Sequence, residues 1–367
     1  MKIQEIKIEV LKPEIPISWT NYIGHVPIKF SLVRVLTDEK HEGDCMIASI
    51  HNTMLPHALA DVIESVKHHV IHEDPLNREK IYQNIGVEPW RALRGPALSA
   101  IDIALWDIAG KSAGLPLYKL LGGFREKMRA YISTTNVGKK MTIEDFVTEA
   151  VSLKKKGFTA MKIHYPACNE EDIEACKAVR EAVGDEMDLM LDPTYGYDRR
   201  LAIKVGRAVE KLGFYWYEAP LPPCDIDGYV NLSRKLDIPI ALEVYDNASE
   251  YLSRRAIDLF RDLGDFTGGI THLRKTQNMC ELFGVGWEPH SYGSTTTQAA
   301  HLHVMCATKN CDFFEYPHPE GIYDIAMKDT IRLDKEGYVH VPQKPGLGVD
   351  IDWDEVRKLT VESISIR

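Results

Sequence analysis

The chain has 367 residues, of which 44% are hydrophobic and 27% charged, with a net charge of −10 and seven cysteines. This composition is typical of a folded globular protein with about two domains, and it excludes fibrous and disordered chains. Dispersed charge predicts no nucleic-acid partner, and the lack of a signal segment or an apolar run of about 18 residues predicts no membrane partner. The same lack of a signal or membrane segment predicts a cytoplasmic protein, and an odd number of cysteines with no CxxC pair predicts reduced thiols.

Residues 1–125 predict an N-terminal α+β capping domain. Two alternating strands, KIQEIKIEVLK and IKFSLVRVLTD, come before a helical region that ends in LYKLLGG. The segment between the strands, SWTNYIGHVPI at residues 18–28, carries polar and aromatic side chains.

From about residue 128, short apolar runs alternate with amphipathic segments, as in AMKIHY followed by EEDIEACKAVREAVG. The alternation continues for eight strand units, seven of which are followed by a helix, and this pattern favours parallel strands closed into a barrel. An open doubly wound sheet would normally carry a glycine-rich phosphate loop after its first strand, and none is present. We therefore predict an α/β fold with a TIM-type barrel over residues 126–320 and a C-terminal segment, residues 321–367, that packs back on the capping domain.

Three carboxylates stand at the ends of consecutive barrel strands, where catalytic groups of such barrels lie. Asp192, Glu218 and Glu243 are 26 and 25 residues apart, which is one strand-helix unit each. Each acid alone could simply cap the helix that follows it. Three unpaired anions in one apolar mouth would repel one another, and a divalent cation with oxygen ligands, Mg²⁺ rather than zinc, would resolve this.

Four further polar residues fall at the ends of strands two, seven and eight. Lys162 and His164 are two positions apart and so point to the same face of strand two. His290 ends strand seven and Glu315 ends strand eight. For His164 a hydrogen bond to a neighbouring loop, and for Glu315 an ion pair at the barrel rim, are the structural alternatives to catalytic roles.

Several motifs in this order resemble the mandelate racemase group of the enolase superfamily: SAIDIALWDIAGKSAGLPLYKLLGG, LMLDPTYGY, WYEAPLP, GGIT and EPHSYG. The resemblance covers nearly the whole chain and implies a (β/α)7β barrel with a capping domain. It also implies that Asp192, Glu218 and Glu243 bind Mg²⁺. Members of the group remove the proton α to a carboxylate and stabilise the enediolate with the metal, which the weak acidity of that proton requires.

The resemblance assigns roles to the remaining residues, with two departures. It implies that Lys162 is a cationic group beside the substrate carboxylate and that Glu315 is an acid that stabilises the enediolate by hydrogen bonding. His164 stands where many relatives carry the second lysine of a Lys-x-Lys motif. In this it resembles acid-sugar dehydratase branches, some of which use a histidine on this strand. The aspartate expected five residues before the Gly-Gly pair is absent, and a one-residue bulge would be needed to bring Asp262 to His290.

The family places a mobile specificity loop between the first strands, which implies that Trp19, Asn21, Tyr22 and His25 contact the substrate. For each of these residues an ordinary loop position is the alternative.

We predict a Mg²⁺-dependent sugar-acid dehydratase that forms a 2-keto-3-deoxy acid and is a homo-oligomer. We interpret His164 as the base and His290 as the acid, since two histidines on opposite sides of the site can supply one base and one acid at neutral pH. The alternative is a racemase or epimerase, which needs a base on each face of the α-carbon. A cycloisomerase fits His164 poorly, and a non-catalytic barrel would not need this set of rim charges.

Overall fold

The computed structural model describes residues 1–14, 28–49, 55–86, 91–134, 141–164, 167–245 and 247–367, with only the backbone for residues 91–94. It contains an antiparallel sheet formed by the two ends of the chain and a larger parallel sheet formed by the middle.

The N-terminal unit is a four-stranded sheet covered by helices. Its strands, in the spatial order β13-β1-β2-β3, are β1 (Ile3–Leu11), β2 (Phe30–Thr37), β3 (Glu42–Ala48) and β13 (Thr360–Ile366). Its helices are α1 (Pro56–Val66), a 3-10 turn (Lys67–His69), α2 (Arg78–Ile85), α3 (Arg91–Ala113) and α4 (Leu117–Leu120). Ile6 and Ile8 of β1 are buried on the face toward these helices, as the period of two in the sequence predicts.

Eight parallel strands follow; from β4 to β10 each pairs with the next strand in chain order, and β11 returns to pair with β4. They are β4 (Lys127–Ser133), β5 (Ala160–His164), β6 (Asp188–Asp192), β7 (Trp216–Glu218), β8 (Ile240–Glu243), β9 (Leu259–Arg261), β10 (Gly286–Trp287) and β11 (Phe313–Tyr316). The gap between β10 and β11 is bridged by the Glu288 carboxylate, which accepts the backbone N–H groups of Asp312 and Phe313 at 2.6 and 3.1 Å.

Helices lie outside the strands and between them in sequence. They are α5 (Ile143–Lys155), α6 (Glu171–Val183), α7 (Arg199–Lys211), α8 (Ile226–Lys235), α9 (Ala248–Ser253), α10 (Gly264–Thr267), α11 (Gly269–Phe283) and α12 (Thr295–Met305). Side chains that accept backbone N–H groups fix several starts: Thr142 and Asp145 form a capping box on α5, and Asp198 and Ser294 cap α7 and α12. The predicted α/β barrel with a capping domain is confirmed.

The last residues of the chain contact both units. Strand β12 (Tyr338–His340) pairs with β4 of the barrel, whereas helix α13 (Trp353–Leu359) leads into β13, which pairs with β1. No helix among the residues that the structure describes has the length and apolar character needed to cross a bilayer.

Buried polar contacts hold the N-terminal unit over the C-terminal ends of the barrel strands. Asp102 of α3 accepts the backbone N–H of Thr271 at 2.9 Å and its hydroxyl at 2.5 Å. Beside the mouth, the Ser294 hydroxyl donates to the Met46 carbonyl at 2.5 Å, and the Met46 N–H donates to Thr296 at 2.8 Å. These bonds are shielded from water, so they orient β3 relative to the loop after β10.

Candidate active site

An ammonium group lies at the centre of the C-terminal end of the barrel. Lys162, the third residue of β5, is 1% exposed, and its Nζ lies 2.8 Å from Glu218 Oε1, 3.3 Å from Asp192 Oδ2 and 3.2 Å from Glu315 Oε1. Burial opposes the charge of Lys162, but Glu218 and Glu315 outweigh it and raise the pKa of the ammonium. Lys162 is therefore a fixed positive charge in the site.

A second buried cation, Arg261, was not among the predicted site residues. It ends β9, is 0% exposed, and places Nε 2.9 Å from Glu218 Oε1 and Nη2 2.5 Å from Glu315 Oε2. Its Nε is also 4.0 Å from Glu243 Oε1. The sequence signal was available, because Arg261 shares its face of β9 with Leu259, which packs inside the barrel, and it occupies the strand end that gives a site residue on other strands.

The predicted acids surround these cations. Burial raises the pKa of Glu218, an effect that Arg261 and Lys162 oppose, and Trp216 Nε1 donates to its second oxygen at 2.9 Å. Burial also opposes ionisation of Glu315, but Lys162, His290 and Arg261 hold its pKa well below the ordinary range. Glu315 is thus an ionised acceptor in the site.

Glu243 is the most open of the four acids, with a side-chain exposure of 17%. The Tyr195 hydroxyl donates to its Oε2 at 3.0 Å. Thr194 and Tyr195 both have positive φ angles, 50° and 63°, in the turn after β6. This unusual backbone conformation for residues other than glycine turns Tyr195 toward Glu243, and strand periodicity alone could not reveal it.

The two histidines lie on different sides of the charged cluster. His164 Nε2 is 3.1 Å from Asp192 Oδ2, and β5 and β6 place these two residues directly opposite each other. His290 Nε2 is 3.8 Å from Glu315 Oε2. Burial lowers the pKa of His290 below its ordinary 6.5, although Glu315 and Glu243 act in the opposite direction. Burial therefore favours the neutral form of His290.

Asp262 does not face His290. Its carboxylate accepts the hydroxyl groups of Thr267 and Thr276 at 3.0 and 2.5 Å and lies 3.4 Å from His272 Nε2. These partners belong to α10 and α11 outside the barrel, because Asp262 follows the inward-facing Arg261 and points the other way. The geometry gives no support to the bulge that would have joined Asp262 to His290. The predicted substrate residues Trp19, Asn21, Tyr22 and His25 lie outside the described residues.

The donor set of this mouth suits Mg²⁺ in chemistry and charge. Four buried or half-buried carboxylates, Asp192, Glu218, Glu243 and Glu315, face two permanent cations, so the cluster retains a formal excess of two negative charges, which a divalent cation would neutralise. Among the described residues, however, no three acid, histidine or cysteine side chains converge closely enough to hold an ion. Lys162 and Arg261 lie between the acids, so they would have to give up some of their contacts with the carboxylates when a metal ion binds.

Comparison with known proteins identifies the family. Residues 29–122 match the mandelate racemase/muconate lactonizing enzyme N-terminal domain, and residues 145–356 match the enolase C-terminal domain-like family. The chain belongs to the mandelate racemase group of the enolase superfamily. The predicted family and the prediction of an enzyme are confirmed.

Individual relatives of this mandelate racemase-group chain are sugar-acid enzymes. The chain is 34% identical over 268 residues to arabinonate dehydratase of Saccharolobus solfataricus, covering 71% of each chain. It is 32% identical over 316 residues to D-galactarolactone cycloisomerase of Agrobacterium fabrum, covering 80% of this chain and 83% of that one. The crystal structure of D-glucarate dehydratase from Agrobacterium tumefaciens, complexed with magnesium, has a TM-score of 0.86 and 33% identity, covering 99% of this chain and 100% of that one.

Proposed function

We propose that this protein is a Mg²⁺-dependent dehydratase of a sugar acid. The observation that carries the proposal is the buried cluster in which Lys162 and Arg261 face four carboxylates between His164 and His290, in a chain whose relatives include sugar-acid dehydratases. The site can exchange protons on two sides of a bound carboxylate and stabilise negative charge between them.

The reaction breaks two bonds of the substrate. A histidine removes the proton from the carbon α to the carboxylate, and the electron pair of that bond forms a double bond to the β-carbon as the β-hydroxyl leaves. The leaving hydroxyl takes a proton from a general acid and departs as water. The enol that remains takes up a proton at the β-carbon, loses the proton of its hydroxyl group and becomes a 2-keto-3-deoxy acid.

The residues of the chain prepare this reaction electrostatically. Lys162 and Arg261 have fixed positions and little contact with water, so they can stabilise charge that develops on the substrate carboxylate without reorganising. Arg261 and Lys162 also position Glu315, whose two oxygens they contact at 2.5 and 3.2 Å. Asp192, Glu218 and Glu243 would hold Mg²⁺, which when bound supplies further positive charge for the substrate carboxylate.

Because burial favours neutral His290, we propose that His290 accepts the α-proton and that His164, held against Asp192, donates to the leaving hydroxyl. This reverses the assignment made from the sequence. Exchange of the substrate α-proton in D₂O tests it: His290→Asn should abolish both exchange and product, whereas His164→Asn should block product and retain exchange. Exchange that survives in His290→Asn and is lost in His164→Asn would restore the original assignment.

Screening mono- and diacid sugars for a 2-keto product tests the activity itself. The wild type should give this product with Mg²⁺ and lose it in excess chelator, and Glu218→Gln should weaken metal binding measured by calorimetry. Full turnover in chelator would contradict the metal requirement. Formation of an epimer without a keto product would instead favour the racemase or epimerase alternative, and a lactone ring change would favour the activity named for the Agrobacterium fabrum relative.

A further inference from the structure

One oxygen of a buried acid outside the charged cluster lacks a hydrogen-bond partner among the described residues. Asp265 lies in α10, four residues after the end of β9, and is 4% exposed. Its Oδ1 has no hydrogen-bond partner among the described residues. Asp262, three residues earlier, shows the contrast, because hydroxyl groups satisfy both of its oxygens.

An unpaired buried carboxyl group reduces stability, since it loses contact with water without a compensating bond. Burial raises the pKa of Asp265 to about 7, which reflects this cost. Unsatisfied buried polar groups are rare in folded proteins, and they concentrate where a ligand completes them.

Asp265 lies beside the loop that carries His290, outside the charged cluster. The carboxyl group is close to Gly293 in the loop after β10, since a Cβ atom built on Gly293 would be 3.5 Å from Asp265 Oδ2. After burial, Asp265 has the largest effect in raising the pKa of Cys45, on β3 of the N-terminal unit. Gly293 is three residues after His290 in the same loop, and among the described residues Asp265 is not one of the acids within 4.0 Å of Lys162 or Arg261, so it lies near the site but outside the charged cluster.

The chemistry of the group selects its ligand. An ionised carboxyl group accepts a hydrogen bond from a hydroxyl, and a protonated one donates to it, so a hydroxyl group suits both forms. We propose that Asp265 is a specificity-determining residue whose free oxygen binds a hydroxyl group of the sugar acid beyond the β-carbon. The proposal rests on the proposed function, since it assumes a polyhydroxy substrate.

The test combines Asp265→Leu with substrate analogues that lack one hydroxyl beyond the β-carbon. For the best sugar acid, one such analogue should lower kcat/KM of the wild type about ten- to hundredfold. Asp265→Leu should show this lower value with the parent acid and no further fall with that analogue. The variant and each analogue could instead act independently, so that their separate losses of kcat/KM multiply when they are combined. That result would overturn the proposal.

Thermal unfolding without substrate separates a binding role from a structural one. Asp265→Leu should leave Tm unchanged or raise it, because Oδ1 makes no hydrogen bond with the described residues and burying the carboxyl group is costly. The matched control is Asp102→Leu: Asp102 is 2% exposed and its carboxylate accepts the Thr271 N–H at 2.9 Å, so this variant should lower Tm. A similar fall in Tm for Asp265→Leu would overturn the proposal. If the wild type dehydrates no sugar acid, the proposed function fails, and the Tm comparison still decides whether Asp265 is structural.

Discussion

Replacing Arg261 by methionine should separate two ways in which the negative charge of the site acids can be balanced, by the buried guanidinium and by bound Mg²⁺. The guanidinium is fully buried and contacts Glu218 at 2.9 Å and Glu315 at 2.5 Å. Methionine fills a similar volume but leaves both carboxylates with Lys162 as their only permanent cation within contact distance among the described residues. Removing one partner from a buried ion pair costs about 3–5 kcal/mol, because the remaining charge stays buried without compensation.

The assay is urea unfolding followed by circular dichroism, first in chelator and then in Mg²⁺. In chelator, Arg261→Met should lower the free energy of unfolding by about 3–5 kcal/mol. In wild-type protein, Mg²⁺ at 100 times its Kd adds about 2.7 kcal/mol. At that same Mg²⁺ concentration the variant should gain more, because Arg261 no longer competes for Glu218 and Glu243, so its Kd for the ion is lower.

Arg254→Met is the matched control. Arg254 also contacts two acids, Asp227 and Glu250, but its side chain is 38% exposed, so its loss should cost at most about 1 kcal/mol. Arg261→Lys keeps the charge but cannot reproduce the forked contact, and it should fall between wild type and Arg261→Met. Equal losses for Arg261→Met and Arg254→Met, or an equal gain from Mg²⁺ in variant and wild type, would refute this reasoning.

Two further predictions concern pH and the capping loop. Burial lowers the pKa values of His301 and His303 from 6.5 to about 4. The unfolded chain therefore binds more protons than the folded protein below pH 6.5, so each histidine should lower the free energy of unfolding by about 2 kcal/mol at pH 5 relative to pH 8. His303→Gln should remove the contribution of His303 from the pH profile of urea unfolding. An unchanged profile would contradict this. Replacing Tyr22 or His25 should change which sugar acid is accepted without changing Mg²⁺ affinity measured by calorimetry, and unaltered turnover of every acid would contradict the proposed loop role.

The sequence by itself determined the architecture, because the hydrophobic periods that indicate strands and helices are local features of the chain. Strand and helix periods alternate along the chain, and the residue at each strand end is read directly from that alternation. Since parallel strands bring their carboxyl ends to one edge, this reading also placed Lys162 and the acids of consecutive strands together without any knowledge of the loops.

Only the tertiary structure decided how charge is distributed in the site. Strand alternation indicates that Arg261 points inward and Asp262 outward, but their partners depend on the surrounding elements: Arg261 contacts Glu218, and Asp262 accepts the Thr276 hydroxyl of α11. The proton affinity of His290 depends on burial by segments distant in sequence. The unpaired oxygen of Asp265 likewise reflects which groups fail to reach it. Desolvation and the choice of partners are properties of the packed molecule, so no periodicity in the sequence could specify them.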